Sequence, residues 1–159
     1  MVTINDFIGF YKIAKDSATN IEFSEFVLLN ERKMLNELLG SDLAQEFLDS
    51  EPDEERFFKL KNPLSFDYNC EPHTSQGIKN VLVGFLFSKW IFDQRERIAL
   101  IGGSVSPTIE NDKLLYSSKA VERFNLSVRS QDAIQLYIKL NIKDYPNFNG
   151  IRKYYESYF

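Results

Sequence analysis

Between Ser75 and Ile98 the chain sets apolar residues around most of a helical circumference. Ile78, Val81, Leu82, Phe85, Leu86 and Phe92 recur at three- and four-residue spacing, which predicts a helix. Val83, Phe87, Trp90 and Ile91 widen the apolar arc well beyond one stripe. Such a helix rises roughly 36 Å at 1.5 Å per residue, and an arc this wide has to be covered on most sides. The rest of the chain must therefore supply packing partners around it. The apolar run Val81 to Phe92 is too short to span a bilayer and is interrupted by Ser88 and Lys89. Asp93, Gln94, Arg95, Glu96 and Arg97 form a charged, solvated end.

The segments on the N-terminal side read as shorter helices. Asn5 to Lys15 carries Phe7, Ile8, Tyr11 and Ala14 on one stripe, with Thr3 or Asn5 to cap it. The polar run Asp16 to Asn20 is expected to break that helix. A second helix is expected from Ser24, with Glu25 in its first turn. Its stripe is Val27, Leu28, Met34, Leu35, Leu38 and Leu39, broken once by Glu31. Gly40 closes it, and Ser41 caps a third helix with Leu43, Ala44, Phe47 and Leu48 on its apolar face. The stretch SEPDEERFFKL reads as a short helix with Pro52 in its first turn, and KNPLSFDYNCEPHTS as a loop.

On the other side, Ala99 to Ser117 breaks the helical pattern with Gly102-Gly103, Pro107 and Glu110-Asn111-Asp112. Leu100-Ile101 and Leu114-Leu115-Tyr116 are expected to pair as a β-hairpin arm or to lie in a long loop. A last helix is expected from Ser117 or Ser118 to about Asn141, with Val121, Phe124, Val128, Ile134, Tyr137 and Ile138 on its apolar face. The fold class expected is all-α. It comprises a helical bundle with one long central helix, that loop or hairpin arm between the last two long helices, and an extended C-terminal tail. Residues 1–142 form the helical domain, and residues 143–159 an aromatic interaction tail.

Fourteen Phe, eight Tyr and one Trp are many large rings for a domain of 159 residues, and some are expected to await a partner. The single cysteine, Cys70, excludes an internal disulfide. MVTINDFIGFYKIAKD lacks a basic stretch followed by an apolar core, so a soluble, cytoplasmic chain is expected. A net charge of −4 supplies no generic phosphate-binding face.

No constellation of catalytic residues emerges, and neither metal nor cofactor ligands do. The lone His73 and Cys70 make one Cys-x-x-His pair with no second pair to complete a zinc site. Two residues so close in a loop lack the separation and third orienting group of a nucleophilic pair. The run Asp53-Glu54-Glu55 reads as a solvated face, and Gly102-Gly103 leads into no phosphate-cradling pattern. Basic clusters at Lys59/Lys61, Arg95/Arg97 and Arg152-Lys153 are short. The elbow at Gly40 precedes an acidic helix (Asp42, Glu46, Asp49) where a DNA-reading helix would be basic.

The order of features resembles a known group. TINDFIGFYKIA is followed by a helix ending in Leu38-Leu39-Gly40, then by an NPxSFD element at Asn62–Asp67. GIKNVLVGFLFSKWIFDQ leads into a Gly-Gly/Asn loop, and AVERFNLSVRSQDAIQLYI precedes a YPNF tail. Over about Thr3 to Phe148 this resembles small head–tail connector (adaptor) proteins of tailed phages of Bacteroidetes hosts, including crAss-like phages. The resemblance implies a helical protomer that forms a ring, dodecameric in the virion, under the portal vertex. Its implied partners are other copies of itself, the portal protein and a neighbouring tail or ring protein. DNA would pass non-specifically through the lumen, with no membrane involved, after assembly in the bacterial host cytoplasm. No enzymatic activity or individual functional residue comes with it.

Interface candidates on this reading are Leu100, Ile101, Val105, Ile109, Leu114, Leu115 and Tyr116 in the loop, and Tyr154, Tyr155, Tyr158 and Phe159 in the tail. The same aromatic tail has a second reading, in which it folds back to complete the core. Two other classes stay open: a small helical binding or regulatory module, such as a phage-encoded inhibitor, and an enzyme built around a pocket at His73.

Overall fold

The computed structural model describes residues 2–11, 13, 17–51, 54–100 and 107–149, with backbone alone at 10, 17–20, 95–100 and 107–117. The chain is mostly helical: α1 (Ser17–Leu39), α2 (Ser41–Asp49), α3 (Glu55–Lys61), α4 (Ile78–Leu100) and α5 (Pro107–Leu140). An antiparallel hairpin, β1 (Leu64–Tyr68) and β2 (Glu71–Ser75), sits between α3 and α4.

Helix α4 is covered as its composition demands. Every residue from Val81 to Ser88 is buried, and α1, α3, α5 and the 3-10 turn Gly9–Tyr11 all contact the helix. Gly84 sets how closely α5 approaches. A Cβ built there would lie 1.9 Å from Ser127 Oγ, so no larger residue fits without moving α5. Ser88 is a buried cross-link rather than an interruption. Its hydroxyl proton is shared between the carbonyls of Gly84 and Ala120, each 2.8 Å away, and so ties α4 to α5.

Helix α4 begins at Ile78, not Ser75, because Ser75 is the last residue of β2. The connection is tight. Gly77 has φ +85, and a Cβ there would meet Lys61 O at 2.4 Å. Ser75 and Ser130 hydroxyls lie 2.9 Å apart, Gln76 N donates to Ser130 Oγ and Gly77 N to Ser75 Oγ. Each buried polar group in this seam has a partner, as burial requires.

Three sequence expectations are corrected. Over the described part of the helix expected at Asn5–Lys15 there are two 3-10 turns instead, Ile4–Asp6 and Gly9–Tyr11, and Gly9 between them adopts φ +59, outside the helical region; Lys12, Ala14 and Lys15 lie outside the described residues. Thr3 holds the N-cap position of the first turn as a donor: its N–H and hydroxyl both donate to Asp6 Oδ2, at 2.8 and 3.1 Å. The run expected to break a helix instead opens one, since α1 starts at Ser17; small hydroxyl and amide residues suit helix starts. Glu31 on α1 accepts from Val2 N–H at 2.7 Å, which anchors the N-terminal strand of chain to this helix.

The second correction is the hairpin. NPLSFDYNCEPHTS was expected to be a loop, yet Leu64 pairs with Ser75, Phe66 with His73 and Tyr68 with Glu71. Asn69 and Cys70 form a two-residue turn with φ +51 and +63, which matches the right-handed twist of the strands.

The third is the arm expected between the last two long helices. Leu100 is the final residue of α4, while Ile109, Leu114, Leu115 and Tyr116 belong to α5, so their backbone is helical and pairs in no hairpin. Pro107 at the first helical position, with Glu110 and Asp112 in the opening turns, favours a helix start there. Ile101 and Val105 lie outside the described residues.

Gly40 closes α1 as expected, with φ +90 and its N–H on Asn36 O at 2.8 Å. It also takes the cap position of α2, so Ser41 is helical and does not cap. Buried Gln135 donates to Leu38 O at 3.0 Å and satisfies a terminal carbonyl of α1. Past α5 the chain folds back: Tyr145 is fully buried against Phe57 and Tyr137, and its hydroxyl donates to Arg56 O at 2.7 Å. Residues 143–149, the first part of the expected tail, thus pack on the helical domain. Tyr154, Tyr155, Tyr158 and Phe159 lie outside the described residues.

Candidate interaction surface

Helix α1 is covered unevenly along its length. Phe23, Val27, Met34, Leu35, Leu38 and Leu39 are buried, with Phe23 edge-on to Phe7 and Trp90. Ile21 and Leu28 lie on the line that leads to buried Leu35, yet with Leu29 they are exposed at 64%, 76% and 77%. Ile21 and Leu28 are seven residues apart, and Leu29 is one further, so all three share one side of the helix. Glu25 and Arg32 lie on the same side and are exposed. Leu28 was expected in the core stripe. Leu28 and buried Leu35 are seven residues apart and point the same way; what differs is the cover that the rest of the chain, α2 included, packs against α1. Single exposed leucines are ordinary. Three large aliphatics in register on one helix are a small unpartnered patch.

Beyond the α1–α2 elbow lies an open cleft of about 500 Å³, lined by Asp42, Gln45, Glu46, Asp49, Ser50, Glu54 and Arg56. Arg56 is its organiser. Its guanidinium meets Glu46 at 3.0 Å and Glu54 at 2.9 Å, and donates to Asp144 O at 3.2 Å. Asn147 also donates to Glu46, and Gln45 bridges Arg32 and Asp49 at 2.6 Å each. This network fastens the 144–147 segment to α2 and α3. Its four carboxylates repel phosphate, so a nucleic-acid groove is a poor fit here.

The sequence's one Cys-x-x-His pair is separated by the hairpin. Cys70 sits exposed in the turn, whereas His73 stacks on Phe66 at 5.5 Å, with Tyr68 beside it. Phe66 in turn meets Tyr137 of α5 at 5.6 Å, so these rings hold the hairpin to the helices. Among the described residues no three His, Cys, Asp or Glu side chains converge as metal ligands, and no helix is long and apolar enough to cross a membrane.

Among the described residues, three groups are shifted from their ordinary pKa values. Burial pulls the Asp6 carboxyl upward, but hydrogen bonds from Lys79 and Thr3 outweigh it and hold the group below its usual range. Lys79 Nζ lies 2.7 Å from Asp6 and joins the N-terminal turn to α4. Burial raises the Tyr145 phenol, with Tyr137 and Asp144 adding to it, and burial raises Tyr11 against the opposing charge of Arg123. Both tyrosines act as neutral packing groups with a polar handle.

No protein-family model, curated protein or solved structure matches this chain. Of the interface residues expected from sequence, Leu100, Ile109, Leu114, Leu115 and Tyr116 have a helical backbone, and the others lie outside the described residues. Ile21, Leu28 and Leu29 were missed. The signal for them is the apolar excess on α1, which has more large aliphatics than one stripe can bury.

Proposed function

We propose that the chain is a structural virion subunit, a ring-forming head–tail connector between the portal vertex and the tail, and not an enzyme. The observation that carries this reading is the exposed apolar patch on α1. A domain that closes its core around α4 still holds Ile21, Leu28 and Leu29 in water, and a cost of that kind is offset when a partner covers the patch. The order of sequence features supplies the connector identity. The acidic balance of the chain, −4 overall, suits a subunit whose ring lets DNA slide and does not grip its phosphates.

Electron microscopy of the purified chain, alone and mixed with the portal protein encoded near it, tests the reading. Rings, formed alone or only on portal, are the expected result. Single small particles under both conditions would overturn it in favour of a regulatory binding module.

A further inference from the structure

The hairpin has one guarded edge and one open edge. A two-residue turn makes Tyr68–Glu71 a hydrogen-bonded pair, and bonded and non-bonded pairs alternate from there. Phe66–His73 and Leu64–Ser75 are therefore bonded, whereas Ser65 and Asp67 on β1, and Pro72 and Thr74 on β2, direct backbone groups outward. On β2 the outward position is blunted by Pro72, which has no N–H, and α5 packs against that strand. On β1, Ser65 and Asp67 are exposed, and β2 is the strand's one paired neighbour among the described residues. An open edge of this kind is a template for a further strand.

We propose that the β1 edge receives residues 151–159 of a neighbouring copy as an antiparallel third strand; this rests on the ring-forming reading and names one of its contacts. Asn149 lies against Gly40 at the α1–α2 elbow, and the ten residues 150–159 follow it. Fully extended, they span about 33 Å, longer than the five-residue strand β1 along which they would lie. Ile151, Tyr154, Tyr155, Tyr158 and Phe159 are strand-favouring residues. Charge matches as well. Arg152 and Lys153 against Glu156 give the segment a net +1, while Asp67 and Glu71 give the hairpin −2. Antiparallel pairing with Arg152 opposite Asp67 at the turn end would set Lys153 at Phe66, Tyr154 at Ser65 and Tyr155 at Leu64.

Cys70, the single thiol, stands in the turn and serves as the reporter. Full-length chain carrying Cys70→Ser and Ile151→Cys is mixed with unmodified chain under assembly conditions with portal, and oxidised mildly. A disulfide between the two different copies is expected, and Asp67→Pro in the Cys70-bearing copy lowers its yield about tenfold by removing an outward N–H. Because Asp67→Pro could unfold the hairpin, amide hydrogen exchange of the unmodified chain provides a second test. Ser65 and Asp67 amides become protected on assembly, while the Phe66 amide is protected throughout. Rings whose Ser65 and Asp67 amides still exchange freely overturn this contact and leave the connector reading standing. An intramolecular link in the Ile151→Cys chain with Cys70 intact assigns the edge to the chain's own tail and overturns the proposal. Absence of any ring removes both.

Discussion

Helices α1 and α4 have the same length, 23 residues, and both carry more apolar residues than one stripe needs. The chain treats them differently. Around α4 it wraps α1, α3, α5 and the N-terminal turns, so Val81 to Ser88 are buried without a break. Around α1 its cover is uneven and leaves Ile21, Leu28 and Leu29 outside. Apolar surface buried in the monomer stabilises the fold, at roughly 25 cal/mol per Å² removed from water. Apolar surface left in water stabilises nothing until a partner arrives. The pair separates the residues that make the domain from those proposed to make the assembly.

Mutations on the two helices should therefore fail in different assays. The largest effect is expected from Leu82→Ala on α4, which deletes a fully buried side chain. Urea unfolding should show a loss of about 2–5 kcal/mol, from lost transfer free energy plus the cavity left behind. Gly84→Val is expected to cost about 1–3 kcal/mol or more by forcing Ser127 and α5 away, read in the same unfolding experiment. Tyr145→Phe removes the hydroxyl that satisfies Arg56 O and should lose about 1 kcal/mol. By contrast, the pair Leu28→Asp and Leu29→Asp on α1 should move stability by no more than about 0.5 kcal/mol each, since the sites are exposed. A large stability loss from that pair would erase the distinction between the two helices.

A further small effect concerns acid. Asp6 has its carboxyl pKa depressed in the folded state by Lys79 and Thr3. The stability it contributes is present above the unfolded value of about 3.9 and is lost as pH falls through the folded value. Asp6→Asn should flatten the acid limb of the stability profile below about pH 4. At neutral pH the change is about 0.2–1 kcal/mol, because the ion pair is largely exposed. An unchanged acid limb would show that the Asp6–Lys79 pair does not help to hold the N-terminal turn.

What the sequence made legible follows where side-chain pattern, rather than backbone detail, decides the structure. The encircling apolar pattern of α4, the Gly40 elbow and the buried Leu43, Ala44 and Phe47 of α2 could all be read from spacing. The hairpin was hidden because its two strands are five residues each and Pro72 argues against a strand. That proline is tolerated because its missing N–H faces outward at an edge. The start of α1 was hidden because Ser17 to Asn20 carry hydroxyl and amide groups that suit a break as well as a first turn. The exposure of Leu28 was invisible for a related reason. Leu28 stands seven residues before buried Leu35, so spacing gives both the same side, and only the tertiary cover separates them. The surface that matters most to the proposed function is therefore the part that periodicity could not separate from the core.

The most direct test sets the two helices' roles against each other in one experiment. Wild-type chain and the Leu28→Asp, Leu29→Asp variant are each mixed with the portal protein and imaged by electron microscopy, with urea unfolding run on the same samples. The account predicts rings for the wild type and single folded particles for the variant, with nearly equal unfolding midpoints. Rings that survive in the variant would contradict the assignment of α1's exposed patch to assembly.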